Sequence, residues 1–453
     1  MHRATSIIAF MLDRIDNPSF VCLPTHNVAE PHIGGVSDAH LSLPPGLVHH
    51  DAVASRSRLA GPEDDIATNE GLTLTTTQDT QQIRLGIIGT GLAVEKLHWP
   101  ALKQLTDRYR VTAFTNRSRP NAERFAAYSG TPMSAFVRNY EDLLGRDDVD
   151  AVLISLPIPL NLPVTQAALE AGKHVICEKP SGANAAEGRA FVELSARYPD
   201  LTVLIAENAF YRDDLRIARS LLDDGRIGRI HLAAWRQVSQ LVPREGQFSS
   251  TPWRHDPGYA GGPHLDAGVH HTAQLRLLLG DAVRVSGETQ DANTTHGGPS
   301  DLTLNLRFVS GAVGNYTACY PELPVPSEPG EMRIYGTEAV MTTGWRGTKI
   351  YRPDGTVETY KVEGADGGYL NEFLNFHEAV LGQAPVVSTV AQSWRNMEII
   401  LGGLDSAERG AVVEIASWPT ELSAAAVPLW RPAGANGLLD GLPATLNRTT
   451  AQE

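Results

Sequence analysis

The residues whose spacing first suggests chemistry are Gly89-x-Gly91-x-x-Val94, set between an apolar run, Ile83–Ile88, and a helix-like stretch at 92–105. Glycines at a strand-to-helix turn let the backbone bend tightly and aim helix N–H groups at a ligand, which suits the pyrophosphate of a dinucleotide. Gly89, Thr90, Gly91, Leu92 and Ala93 are the candidate contacts. Such glycines also occur for steric reasons alone, so the surrounding pattern has to decide. A second strand, Tyr109–Thr115, completes a βαβ unit and ends at Asn116-Arg117-Ser118, where that unit would meet an adenosine ribose. No carboxylate stands there to accept a 2′-hydroxyl. Asn116, Arg117 and Ser118 offer hydrogen-bond donors for a 2′-phosphate, so NADP is expected in preference to NAD. Farther along, Asp266 and His270 are four apart in a helix-like segment, one turn apart on one face, and can present two polar groups to one small ligand. Lys179 follows another strand-like run.

The elements that must position these residues can be read from periodicity. Strand-like runs at 150–155, 174–177 and 201–206 alternate with helix-like stretches at 162–171 and 183–197, which predicts a parallel, doubly wound sheet over residues 81–206. Beyond about residue 229 the strand-like runs at 230–238, 282–288, 302–309, 312–319, 332–335, 339–343 and 349–351 mostly lack intervening helices. They predict a mostly antiparallel sheet, with helices at 264–279 and 370–381. The expected fold class is an α/β N-terminal Rossmann domain followed, over 207–416, by an α+β domain with an open-faced sheet. Residues 417–453, rich in Ala, Pro, Gly and Thr, read as a loose tail. Residues 1–80 contain no lysine and hold no sustained period, and read as a disordered extension. Their six histidines are irregularly spaced, and no metal site is expected.

Composition excludes several classes of function. The 42% hydrophobic and 20% charged residues are those of an ordinary soluble protein with a full core. A net charge of −14 would repel a phosphate backbone, so no nucleic-acid partner is expected. Three scattered cysteines, Cys22, Cys177 and Cys319, make no disulfide framework, which fits a reducing cytoplasm. No apolar run approaches the ~20 residues of a membrane helix, and no membrane association is expected.

Three motifs in order make a more specific pattern: Gly89-Thr90-Gly91 with His98-Trp-Pro-Ala-Leu102; Glu178-Lys179-Pro180 after Leu169-Glu-Ala-Gly-Lys-His174; and Trp253-Arg254 followed by Gly261-Gly262-x-x-x-Asp266-x-Gly268-x-His270. Over about residues 82–416 the chain resembles the glucose-fructose oxidoreductase/inositol dehydrogenase/MocA (Gfo/Idh/MocA) family. The resemblance implies a nicotinamide-dependent oxidoreductase acting on a sugar or polyol, built as a homodimer or homotetramer. Lys179, Asp266 and His270 take the places of the family's Lys, Asp and His. His270 is then suited to take a hydroxyl proton, Asp266 to orient it or bind a neighbouring hydroxyl, and Lys179 to polarise the reacting oxygen. Trp253 and Arg254 belong to the substrate motif, and Pro157, Asn161 and Glu178 are added as cofactor contacts. Three residues depart from the family pattern: Val94 where Ala or Gly is frequent, Asn161 near a frequent His, and Ala273 where many members carry Asp. The alternatives are a non-catalytic NAD(P)-sensing regulatory protein and an NAD-dependent glycosidase of the same fold.

Overall fold

The computed structural model describes residues 81–293, 297–324, 330–442 and 446–452; the extension expected at 1–80 lies outside these. The described residues fall within one compact unit. Its first layer is a six-stranded parallel sheet made of β1 (Ile83–Ile88), β2 (Tyr109–Thr115), β3 (Phe136–Val137), β4 (Ala151–Ile154), β5 (His174–Glu178) and β6 (Val203–Ala206), in the order β3-β2-β1-β4-β5-β6. Every residue of β4 and β6 is buried, because helices cover both faces, and this is why those strands read as unbroken apolar runs. The connecting helices are α1 (Trp99–Leu102), α2 (Arg119–Ser129), α3 (Tyr140–Leu144), α4 (Asn161–Glu170) and α5 (Ala185–Ala196). The helix expected at 92–105 is shorter and not uniform. It passes through a π-helical turn, Val94–His98, before α1, and that turn begins at the fully buried Val94. The strand order reverses between β1 and β4, so the carboxyl ends of these two strands diverge around a crevice.

The second half begins with α6 (Asp213–Asp223) and β7 (Ile230–Val238), followed by α7 (Pro263–Leu279), β8 (Ala282–Gln290), β9 (Asp301–Phe308), β10 (Val313–Cys319), β11 (Met332–Gly336), β12 (Val340–Gly344), β13 (Gly347–Tyr351) and β14 (Thr356–Val362). After these come α8 (Tyr369–Val380), α9 (Val390–Arg409), β15 (Val413–Glu414) and β16 (Leu446–Gln452). The ten strands run β15-β8-β9-β10-β7-β11-β12-β13-β14-β16, antiparallel except for the β10–β7 pair. Burial alternates along β9 and β10, so one face of this sheet is covered and the other is less so. All 17 residues of α7 are buried, since the helix is packed beneath α9 and against α6. Both halves of the expected fold class are present.

Two features differ from the sequence reading. The 20-residue helix α9 was not expected, and its Gly402-Gly403 pair argues locally against a helix. Those glycines exist for packing. A Cβ on Gly403 would stand 2.3 Å from Leu304 Cδ2, and one on Gly287 of β8 would stand 2.2 Å from the Gly403 carbonyl oxygen, so helix and sheet meet backbone to backbone. The segment expected as a loose tail is docked instead. Val427, Leu429 and Trp430 are buried, the Trp430 amide donates to the Phe210 carbonyl at 3.0 Å, and Arg395 donates to the carbonyls of Ala416 and Thr420. β16 then pairs with β14 along its full length, and Arg448 donates to Glu358 at 3.0 Å. These contacts come from partners far away in sequence, which composition cannot register.

Candidate active site

The turn after β1 bends at Gly89, where φ is +92° and a Cβ would lie 2.2 Å from the Ser155 carbonyl oxygen. Only glycine can close this turn against β4. Gly91 is different: nothing lies within 4 Å of its Cβ position, and it forms part of the wall of a cavity of about 650 Å³. That space is of the size of a ligand pocket and opens at the divergence of β1 and β4. Leu92 and Ala93 continue the wall, Asn116 and Arg117 border it from the end of β2, and Pro157 borders it from beyond β4. Arg138 and Tyr140, at the start of α3, also line it, as does Glu141. These three were not foreseen, because β3 has only two residues and its end is scarcely marked in the sequence.

Two of the expected cofactor residues at this end do other work. Thr90 is buried off the cavity and its Oγ1 accepts from Asn116 Nδ2 at 3.0 Å, which fastens the glycine turn to the end of β2. Ser118 is the N-cap of α2, its Oγ accepting from the Asn121 amide, and it does not line the cavity. Asn161 also departs from expectation. It is fully buried, and its Nδ2 donates to the carbonyls of Glu178 at 2.8 Å and Pro180 at 3.0 Å. The amide nitrogen therefore holds the segment that carries Lys179, while its Oδ1 is buried without a partner among the described residues.

At the inner end of the cavity the two halves of the chain meet in a buried charge cluster. Lys179, just beyond β5, donates from Nζ to Asp266 Oδ1 at 2.9 Å and to the Asp266 carbonyl at 2.5 Å. Arg254 donates from Nε to Asp266 Oδ2 at 2.7 Å and from Nη1 to Thr251 Oγ1 at 3.0 Å. The Arg254 guanidinium lies 4.2 Å from the centre of the Trp253 ring. Burial disfavours the Asp266 charge, but Arg254 and Lys179 outweigh it and hold the carboxyl well below the usual range. Its place in the first turn of α7 adds the helix dipole in the same direction. Asp266 is thus a permanently ionised counter-ion, with no capacity as a base near neutral pH. Lys179, Asp266, Trp253, Arg254 and Glu178 all border the cavity.

His270 lies one turn farther along α7 and is not part of the cavity wall. Its Nδ1 is 2.7 Å from Glu207 Oε1, and its Nε2 is buried without a hydrogen-bond partner among the described residues. A second pair of the same kind joins His98 Nε2 to Glu178 Oε1 at 2.8 Å. Burial raises the Glu178 carboxyl, but His98, Lys179 and His270 reverse this and leave it lowered. Glu207 was missed from the sequence, although its position just after β6, at the same edge as Lys179 after β5, was a usable signal. Among the described residues no group of three or more His, Cys, Asp or Glu is arranged to hold a metal ion, and no helix is long and apolar enough to cross a membrane.

Known proteins agree with this architecture. Residues 83–204 match the model of an oxidoreductase family with an NAD-binding Rossmann fold, and residues 215–342 match the GFO/IDH/MocA C-terminal domain. The chain is 30% identical over 337 residues to D-xylose 1-dehydrogenase (NADP(+)) 2 of Haloferax volcanii, covering 73% of this chain and 99% of that one. It is 31% identical over 294 residues to dTDP-3,4-didehydro-2,6-dideoxy-alpha-D-glucose 3-reductase of Streptomyces violaceoruber, covering 62% of this chain and 81% of that one. An oxidoreductase crystal structure from Thermotoga maritima superposes with a TM-score of 0.68 at 35% identity, covering 74% of this chain and 99% of that one. With the glycine turn, the cavity at the strand divergence and the Lys179–Asp266 pair in place, the chain belongs to the Gfo/Idh/MocA family of nicotinamide-dependent oxidoreductases.

Proposed function

We propose that this enzyme transfers hydride between a hydroxyl or carbonyl carbon of a sugar-like substrate and a nicotinamide, with NADP as the preferred cofactor. The observation that carries the reading is the buried Lys179–Asp266–Arg254 cluster at the inner end of the cavity, fed by both halves of the chain. The open Cβ position of Gly91 and the bordering Asn116 and Arg117 fit a dinucleotide along the outer part. Arg117 and Arg138 both border the cavity, beside Glu141, which supports a 2′-phosphate there. Two of the relatives above are named for a sugar or a nucleotide-linked sugar, and one of these for NADP.

When bound, the nicotinamide accepts or gives the hydride. Lys179 has two of its three N–H groups engaged by Asp266, and the third is left for the reacting oxygen of the substrate. Asp266 holds the ammonium in place, where it favours negative charge developing on that oxygen. His270 Nε2 has no partner among the described residues and, since His270 does not border the cavity, takes the hydroxyl proton through one water. Trp253 and Arg254 border the substrate end, the arginine committed mainly to Asp266.

The test is a panel of aldoses and polyols assayed for sustained change in nicotinamide absorbance with NADP and with NAD. Sustained turnover supports the dehydrogenase and excludes a glycosidase that regenerates its cofactor in each cycle. Arg117→Ala should cost about 10- to 100-fold in kcat/KM with NADP and little with NAD, the range for losing a hydrogen bond to a charged group. Preference for NAD in the unaltered protein would overturn the cofactor assignment.

A further inference from the structure

We infer that Glu207 is a positioning residue for the reaction: it fixes His270 in the tautomer that carries its proton on Nδ1, leaving Nε2 as the proton acceptor, and it stabilises the imidazolium formed when that proton arrives. This rests on the proposed role of His270. The geometry is specific. Glu207 is 1% exposed and stands just beyond β6, with Oε1 2.7 Å from His270 Nδ1 and 3.1 Å from the Ala209 amide nitrogen, which donates to it. A carboxylate only accepts, so the shared hydrogen belongs to His270 Nδ1. In the neutral ring the lone pair then lies on Nε2, the buried atom without a partner among the described residues. Base, orienting acid and reacting hydroxyl would then form a nucleophile-free version of the oriented-base arrangement used by hydrolases.

Titratable groups from α8, β5 and α7 surround the pair. From α8, Glu372 faces Glu207 and Glu178 with both of its carboxyl oxygens buried and without a partner among the described residues. Burial, then the charges of Glu178, Glu207 and Asp366, push the Glu372 carboxyl well above its usual range, so it holds its proton. Tyr369, on the same helix, faces both carboxylates and is likewise kept neutral. From the end of β5, Glu178 faces His270 with its own partner His98, and on α7 the adjacent His271 is pushed down by burial to about 3 and stays neutral.

The experiment is nitrogen NMR of the imidazole rings in the full-length protein, with His270→Asn used to assign the His270 signals, compared with Glu207→Gln. The unaltered protein should show His270 as the Nδ1–H tautomer. In Glu207→Gln its titration midpoint should fall by about 1–3 pH units, the effect of removing an opposite charge at hydrogen-bond distance. The acid limb of kcat/KM should move to lower pH by the same amount, while KM for the cofactor stays within about twofold. A purely structural Glu207 would lower activity without moving that limb. An Nε2–H tautomer in the unaltered protein, or an unmoved midpoint in Glu207→Gln, overturns the inference, and the tautomer needs no variant that folds. Because the NMR readout needs no substrate, failure of the sugar panel with the expected tautomer and shift would reject the proposed reaction and keep the role of Glu207.

Discussion

Replacing Asp266 by Asn should destabilise the protein more than almost any other isosteric change, and the structure allows the size to be worked out. Asp266 is 1% exposed and bonded to two cations, at 2.9 Å from Lys179 and 2.7 Å from Arg254. At an effective dielectric constant near 20 each pair is worth about 6 kcal/mol of gross attraction, most of which offsets the cost of taking three charges out of water. Asn keeps the shape but leaves the two cations buried with no counter-charge, a situation that costs about 3–5 kcal/mol. Urea midpoints at constant slope would give the loss, and Lys179→Met in the same background would test its origin. Once one of the two stranded cations is gone, the double variant should be less destabilised than the sum of the single ones by about 1–3 kcal/mol. The pH dependence follows from the depressed carboxyl: its contribution is complete above the unfolded value of about 4 and is lost as pH falls toward the folded value. The gap between the unaltered protein and Asp266→Asn should therefore be constant from pH 5 to 8, taken as roughly one unit above that value and beyond, and narrow below about 4. A loss under about 1 kcal/mol at pH 7, or additive single and double variants, would refute the account of a cluster held by one carboxylate.

Other expectations concern the turn, a buried acid and the C-terminal strand. Gly89→Ala should lower stability by at least about 1–3 kcal/mol, since it adds backbone strain and a carbonyl clash, whereas Gly91→Ala should melt normally and weaken dinucleotide binding about tenfold, as followed by nicotinamide fluorescence. Equal effects at the two glycines would deny that the cofactor lies against Gly91. Burial pushes the Glu398 carboxyl of α9 up to about 7 despite Arg395, so it binds its proton more tightly when folded and its contribution to stability falls as pH rises from about 4.3 to about 7. In Glu398→Gln that part of the slope in Tm against pH should disappear; an unchanged slope would place the titration elsewhere. Removing residues 446–453 should uncover the hydrogen-bonding edge of β14 and increase self-association in light scattering, while kcat/KM is retained.

Much of the fold was legible in the sequence because it depends on local pattern. The apolar runs of β4 and β6 are buried on both faces, and the alternation along β9 and β10 reports a single covered face, so period and run length map directly onto these strands. The glycine turn and Arg117 at the end of β2 could be named for a similar reason, since a parallel α/β sheet puts its strand ends at one edge, whereas Lys179 was named through the resemblance of its motif to the family's. What the sequence could not convey was set by contacts between distant segments. Thr90, Ser118 and Asn161 have hydrogen-bonding groups suited to a cofactor, and only the folded chain shows that Asn116, the α2 amide and the Glu178 and Pro180 carbonyls engage them first. Glu207 joins His270 from 63 residues away, α9 packs its glycines against β8 and Leu304 of β9, and the last strand finds its place on β14. A hydrogen bond between residues far apart in sequence leaves no periodic trace, because the chain between them is free to vary. Local pattern therefore determined the elements and their edges, while the tertiary structure decided which polar side chains face the cavity and which hold it in shape.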